Sequence, residues 1–228
     1  MGFTFASIAK FLMILILLFL LFLLVLNFMS FDSSFYQKKF SEYNVQQNVP
    51  NAFSLHEKVM NFVGGKSNEL PNEFNERERL HLLDVRNAVR ISTLLLYALI
   101  ALFILLIIAS AFILKANNYI TNFVSKVLFF GGVLTVALAL VLFFLISSDF
   151  SSAFESFHML LFEQGTYLFD PAKEMIVNLY PEQLFMDLGL RISKSVMLAS
   201  AAIILIGAAM ILKSKSKKNK NRKQNDKT

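Results

Sequence analysis

Three histidines, His56, His81 and His158, are the side chains best suited to chemistry at neutral pH in this chain. Imidazole titrates in that range and can take or give a proton there. The chain contains no Cys, which removes disulfides, thiolate metal sites and Cys nucleophiles together. Two histidines could hold a metal, but no HExxH pattern and no third ligand at a recognised spacing accompanies them. Ser147, Ser148, Ser151, Ser152 and Ser156 lie near His158 in sequence, so a Ser–His nucleophilic pair is open, although no GxSxG elbow is present. Proton transfer by His81 and His158 is the third option, with Asp84 and Asp170 available to orient a ring as the third group of a relay does. On the residues alone, each aspartate also reads as an ordinary helix charge or cap, and each histidine as an ordinary hydrogen-bonded side chain. His56 sits beside Glu57 and Lys58 in NAFSLHEKVMNFVGG, far from any apolar run. It reads as a surface or hydrogen-bonded residue.

The segments that must position these side chains are readable. NERERLHLLDVRNAVRIS has no Gly or Pro and reads as a helix running into the apolar run that follows. Leu80, Leu83, Val85 and Val89 form a loose apolar stripe on it. Glu78, His81 and Asp84, spaced i, i+3, i+6, can face one way. A continuous helix places His81 roughly 13 Å ahead of Arg90 at 1.5 Å per residue. Around the third histidine, Phe154, Phe157, His158 and Leu161 fall at i, i+3, i+4, i+7, one face of an interfacial helix that Gly165 is expected to end. FDPAKEMIVNLY follows, with Asp170 as the expected N-cap and Pro171 at the first helical position. Pro181 and Glu182 then open a further short helix. FSEYNVQQNV is compatible with a short strand or with coil.

Four apolar runs without a charge dominate the rest: Phe11–Met29, Ile91–Leu114, Val127–Ile146 and Val196–Leu212. Each is close to the ~20 residues that a helix needs to cross a bilayer. The chain is 56% hydrophobic and 17% charged, with a mean hydropathy of +0.57, so it lacks the polar surface of a soluble domain. The first run is longer than a signal-peptide core and no small-x-small cleavage site follows it, which reads as an uncleaved signal anchor. The fourth is rich in Ala and Gly and is expected to pack tightly on a neighbour. The implied fold is an α-helical membrane protein, a four-transmembrane-helix bundle capped by a small, mainly helical extracytoplasmic domain built from loops 1 and 3.

The expected order is a cytoplasmic N-terminus (1–10), the first span (11–29), an extracytoplasmic loop (30–90), the second span (91–114), a cytoplasmic loop (115–126), the third span (127–146), a second extracytoplasmic loop (147–194), the fourth span (195–212) and a basic cytoplasmic tail (213–228). The orientation rests on the tail, whose Lys213, Lys215, Lys217, Lys218, Lys220, Arg222, Lys223 and Lys227 face only Asp226, and on Lys10, Lys115 and Lys126 at the other expected inner ends. The tail reads as a topology determinant that touches anionic headgroups. It has no aromatics to stack on bases, so nucleic acid is not an expected partner. The two long loops hold 15 of the 16 acidic residues and all three histidines, so the polar chemistry lies on one side. A transporter or channel is disfavoured, because none of the four runs carries a charge. A non-catalytic assembly or sensor protein that uses its outer loops as a binding module remains the alternative to an enzyme.

Two stretches carry a resemblance. ERLHLLDVRNAV is similar to the "E…HL-DV" helix of the bacterial lipoprotein intramolecular transacylases, and FHMLLFEQGTYLFDPAKEMIVNLYPEQLF resembles their second histidine segment. The four-span layout with two outer loops matches as well. Tyr167 stands where that family usually has Trp, and the Lys173–Glu174 pair occupies a region where an acidic residue is expected. The resemblance implies an acyltransferase of the bacterial cell membrane with both termini cytoplasmic and its site facing outward. It implies that the sn-2 acyl chain of a diacylglyceryl-modified lipoprotein moves to the free amine of its N-terminal Cys, giving an N-acyl lyso-lipoprotein. His81 and His158 fall on the family's two histidines as the acid–base pair, Asp84 or Asp170 is available to orient them, and no metal or cofactor is called for. Membrane lipid and diacylated lipoproteins are the implied partners. An oxyanion hole is needed, and its donors cannot be read from the residues.

Overall fold

A computed structural model describes residues 5–114, 117–162 and 167–225. Among them all regular structure is helical, in the order α1 (Phe5–Met29), α2 (Ser33–Glu42), α3 (Val45–Asn48), α4 (Ala52–Val63), α5 (Glu76–Leu114), α6 (Asn117–Ser148), α7 (Phe150–Leu161), α8 (Met175–Leu179) and α9 (Glu182–Asn225). FSEYNVQQNV is thus neither strand nor plain coil: it holds the end of α2, a turn at Tyr43 and Asn44, and α3. α1, α5, α6 and α9 are each long and apolar enough to cross a membrane. The expected loop at 115–126 is mostly helix, since α6 begins at Asn117. Lys115, Gly165, Asp226 and Lys227 lie outside the described residues. The described chain divides into two compact units, one drawn from Met1–Leu24, Leu96–Val141 and Ser193–Thr228, the other from Val25–Leu95 and Leu142–Ile192.

The first unit is made of apolar helix. Ala9 and Met13 of α1 pack with Phe123 and Val127 of α6 in its core, while Leu105, Phe112, Leu198 and Leu205 are exposed. An apolar rim around a thin core is what lipid-facing helices present, because the hydrocarbon replaces the missing neighbours. Close approach of backbones does the rest. A Cβ added to Gly207 of α9 would lie 2.7 Å from the Phe129 nitrogen and 2.9 Å from the Ser125 carbonyl oxygen of α6. Both are backbone atoms, which cannot rotate away. The Ala- and Gly-rich fourth run thus packs tightly, as its composition suggests, and α6 is the neighbour.

The second unit has a conventional hydrophobic core. α4 presents Ala52, Leu55, Val59, Phe62 and Val63 along one face, at the 3.6-residue period, to Phe35, Tyr36 and Phe40 of α2, Val45 of α3, and Ile176, Leu179, Tyr180, Leu184 and Leu188 of α8 and α9. Asp32 caps α2 by accepting the Ser34 N–H, and the same carboxylate receives Arg191 of α9 at 2.6 Å. α4 ends in a Schellman turn: Gly65 has φ +75°, its N–H donates to the Phe62 carbonyl, and the Lys66 N–H donates to that of Asn61. Lys39 and the Tyr43 hydroxyl both bond Asp187 of α9 at 2.5 Å.

Of the two readings of His56, surface or hydrogen-bonded, the second holds. It is hydrogen-bonded to the Tyr180 hydroxyl at 2.9 Å, and it is fully buried rather than on the surface. Its ring lies tilted against Tyr36, with centroids 4.2 Å apart and planes 35° apart. Glu57 and Lys58, the next two residues, are exposed and mask an inward-facing position. The apolar stripe of α5 departs from expectation. Leu82, Val85 and Val89 pack into this core, whereas Leu80 and Leu83 are exposed.

The α6–α9 approach gives a direct test. Gly207→Val is expected to cost about 1–3 kcal/mol by overpacking and to lower the thermal midpoint followed by circular dichroism in detergent. Leu205→Val, two positions away and exposed, should leave it unchanged. Equal midpoints for Gly207→Val and the unmodified chain would contradict the packing described.

Candidate active site

The N-terminal turns of α5 carry the first half of the site. These turns, residues 76–90, precede the apolar run that begins at Ile91. Asn75 caps the helix, with its side-chain oxygen accepting the Glu78 N–H at 3.0 Å. In return, Glu78 Oε2 accepts the Asn75 N–H at 2.7 Å. This is a reciprocal capping box with Asn in the leading position. The other oxygen, Oε1, accepts the Ile176 N–H of α8 at 2.7 Å. A carboxylate only 1% exposed is thereby satisfied by backbone N–H groups at the starts of two helices, where the helix dipoles favour negative charge. His81 follows one turn later, on the same flank.

α7 carries the second half. It starts two residues after α6 ends, with Asp149 as N-cap accepting the Ser152 N–H at 3.1 Å. Phe154 and His158 turn inward, while Phe157, Leu160 and Leu161 are exposed. The face read as one amphipathic stripe is therefore split: half packs on protein, and the rest is an apolar surface outside the four spans. Leu160, 81% exposed, is the extreme case.

The two imidazoles meet. Their ring centroids are 6.2 Å apart and the planes differ by 21°. Aromatic rings close around them. Phe162 lies 4.9 Å from His81 and 5.4 Å from His158. Phe169 packs edge-on to His81 at 5.3 Å. Phe154 and Tyr167 flank His158 at 4.1 and 5.0 Å. Tyr167 thus lies against His158 with its ring.

The ring nitrogens are not equivalent. His158 Nδ1–H donates to the Phe154 carbonyl at 2.7 Å, which fixes the neutral tautomer with its lone pair on Nε2. Nδ1 of His81 is buried and has no partner among the described residues. Burial, reinforced by the neighbouring His158, lowers the His81 pKa to about 4. Burial also lowers that of His158, opposed by the bond to the Phe154 carbonyl. Both rings are therefore neutral at pH 7 and able to accept a proton.

No hydrogen bond joins Asp84 or Asp170 to a histidine among the described residues. Asp170 accepts the Ala172 N–H at 3.0 Å and pairs with Lys173 at 3.3 Å. It closes a turn at 171–173 rather than starting a helix. α8 begins later, at Met175, and Glu182 opens one continuous helix into the fourth span rather than a separate short one. Asp84 is half-buried, with no hydrogen bond or ion pair among the described residues. A main-chain carbonyl, that of Phe154, takes the orienting place. The serines are also engaged elsewhere: Ser147 and Ser148 donate to carbonyls of α6, Ser151 to Glu182 and Ser152 to Asp149. No hydrogen bond joins a serine to a histidine among the described residues. No three His, Cys, Asp or Glu side chains gather there in a way that could hold a metal ion.

Two further residues of the site escaped sequence reasoning. Glu78 was visible only as part of an i, i+3, i+6 row, although Asn three residues before Glu at a helix start is a capping signal. Glu174 is buried while its neighbour Lys173 is exposed. Its Oε2 accepts the Asp170 N–H at 2.5 Å, and its Oε1 lies 3.4 Å from Arg77.

A sequence profile described as lipoprotein intramolecular transacylase Lit matches residues 11–185. The chain belongs to the Lit family. No curated protein matches it in sequence. Among solved structures it is similar to the membrane-integral lipoprotein intramolecular transacylase Lit from Bacillus cereus, with a TM-score of 0.77 and 19% identity over 92% of this chain and 98% of that one. Two variants of the same Bacillus cereus protein, each with one histidine replaced, also match at 19% identity. The arginine variant has a TM-score of 0.69 over 91% and 94% of the two chains, and the alanine variant 0.73 over 92% and 96%. At that identity the likeness establishes a shared fold: an α-helical, membrane-integral protein of the Lit type.

Two outcomes follow for this Lit-family chain. It has no Trp, so Leu160→Trp introduces a single reporter. Its fluorescence is expected to be blue-shifted in vesicles and strongly quenched by brominated acyl chains, placing the exposed face of α7 in lipid; quenching no greater than that by aqueous iodide would contradict it. The second concerns pH. The folded pKa values of His56 and His81 lie at about 4, below the ordinary 6.5. The unfolded chain therefore binds more protons between these values, and stability falls as pH drops through that window. The unfolding midpoint should hold between pH 8 and 7 and decline from pH 6.5 to 4, less steeply in His81→Gln. A midpoint that rises on acidification would refute the assignment of neutral buried rings.

Proposed function

We propose that this family member moves the sn-2 acyl chain of a diacylglyceryl-modified lipoprotein from the glycerol oxygen to the free amine of the N-terminal Cys, leaving an N-acyl lyso-lipoprotein. The observation that carries the reading is the pair of buried neutral imidazoles, His81 and His158, stacked inside an aromatic wall. An amine must lose a proton as it attacks an ester carbonyl, and the departing glycerol oxygen must gain one. His158 suits the first task, because the Phe154 carbonyl holds its Nδ1–H and leaves the Nε2 lone pair available. The new C–N bond forms as the C–O bond breaks, and the proton taken from nitrogen is returned to oxygen through the pair. Burial favours that return, since a ring whose pKa is depressed releases its proton readily. Donor and acceptor belong to one molecule, so holding them in register supplies much of the rate. The reaction requires neither a metal nor a cofactor.

The surroundings suit such a substrate. Phe157, Leu160 and Leu161 of α7 and Leu80 and Leu83 of α5 are exposed apolar side chains beside the two histidines, and acyl chains can lie along them at the lipid boundary. A free Cys amine exists only after export and signal-peptide removal. The proposed placement is therefore in the cytoplasmic membrane of a bacterium, with both termini inside and the histidines at the outer interface.

Mass spectrometry of lipoprotein N-terminal peptides tests the reading in a host that makes diacylated lipoproteins. The unmodified chain should place an acyl group on the Cys amine. His158→Ala and His81→Ala, expressed to the same level, should each reduce that product at least 100-fold, within the range of general acid–base contributions of about 10²–10⁴. Peptides that stay diacylated on glycerol in the presence of well-folded unmodified chain would sink the proposal.

A further inference from the structure

The segment that walls His81 on the side of Phe169 is held by neighbouring residues of α5. Arg77 lies over the Phe169 ring, its guanidinium carbon 5.0 Å from the centroid, and pairs with Glu174. Glu78 accepts the Ile176 N–H across 98 positions of sequence. Glu174 folds back to accept the Asp170 N–H, which shapes the turn between Phe169 and α8. A helix of five residues such as α8 has little stability of its own, so its start depends on what holds its free N–H groups. Arg77 is about half exposed and its contact with Glu174 is long, 3.4 Å. Water can replace much of that pairing. Glu78 is different: its carboxylate is buried, has no ion pair among the described residues, and has both oxygens committed to backbone donors.

We propose that Glu78 is a positioning residue of the site, which, by holding the Ile176 N–H, fixes the 169–176 segment and the Phe169 ring against His81. This rests on the acyl-transfer reading for its kinetic consequence but not for its structural one. The carboxylate acts through two acceptor oxygens, and an amide supplies only one. Glu78→Gln keeps the shape but points an NH2 group at one of the two backbone N–H groups. The Asn75 side chain still caps α5 through the Glu78 N–H, so the link to α8 is the bond expected to give way.

The consequence should be a misplaced wall rather than a lost binding surface. In purified protein acting on a diacylated lipopeptide, Glu78→Gln is expected to lower kcat on the order of tenfold or more. KM should stay within about twofold and the folded fraction should be unchanged. Hydrogen exchange provides the second arm. In the unmodified protein the Ile176 amide should be protected, although first-turn amides of so short a helix ordinarily exchange fast. In Glu78→Gln, exchange should rise across 169–179. Unchanged kcat, or exchange that rises only at the start of α5, would overturn the proposal and leave Glu78 a local cap. If Glu78→Gln fails to fold, the Ile176 amide of the unmodified protein decides: rapid exchange there sinks the idea. If the unmodified protein shows no acyl transfer, the function fails while the exchange arm still judges the link.

Discussion

A buried carboxylate must find hydrogen-bond donors for both its oxygens, and Glu78 meets that demand with main-chain donors alone. One oxygen closes the start of α5, and the other closes the start of α8. Because α5 carries His81 and α8 follows Phe169, this bond joins the helix with the first histidine to the segment that covers it. The surrounding core of α2, α4, α8 and α9 is apolar and would tolerate many arrangements of similar volume. The carboxylate removes that freedom, since only one register of the segment offers it the Ile176 N–H.

The histidine pair depends on the same economy of polar partners. Neither ring is held by a carboxylate among the described residues. His158 is oriented by the carbonyl one turn earlier in its own helix, and both rings are otherwise surrounded by aromatic side chains. That setting keeps the pair uncharged. His56 shows that burial alone does not make a site: it shares an aromatic environment and a lowered pKa, yet its ring is enclosed in the core and hydrogen-bonded to Tyr180, with no second imidazole beside it.

Much of this was legible in the residues. Charge-free runs of about 20 residues are a strong signal, and all four lie in membrane-length helices. His81 stands ten residues before the second apolar run and His158 twelve after the third, distances similar enough to let the two rings meet. The resemblance pointed to the family that the sequence profile then matched. What was not legible has identifiable causes. His56 is followed by two charged residues, Glu57 and Lys58, that suggested a surface, yet adjacent residues on a helix face different ways. Leu80 and Leu83 look like core residues, but an apolar side chain beside a membrane can be exposed to lipid at little cost, so hydrophobicity does not identify the inner face there. Asp170 and Pro171 carry the signature of a helix start and make only a turn, since Asp caps both. Glu78 reaches a residue 98 positions away, and no local pattern encodes such a pairing.

The bond from His158 Nδ1 to the Phe154 carbonyl has one more consequence. In relays where a carboxylate stands behind the imidazole, the charged ring is stabilised and can outlive the step that formed it. Here the group behind the ring is a neutral dipole belonging to the helix itself. A proton that arrives on His158 finds no counter-charge among the described residues, and so has a short residence there. Under the proposed acyl transfer the ring would serve as a conduit rather than a store, which suits a proton that leaves one atom of a substrate and is wanted at once by another.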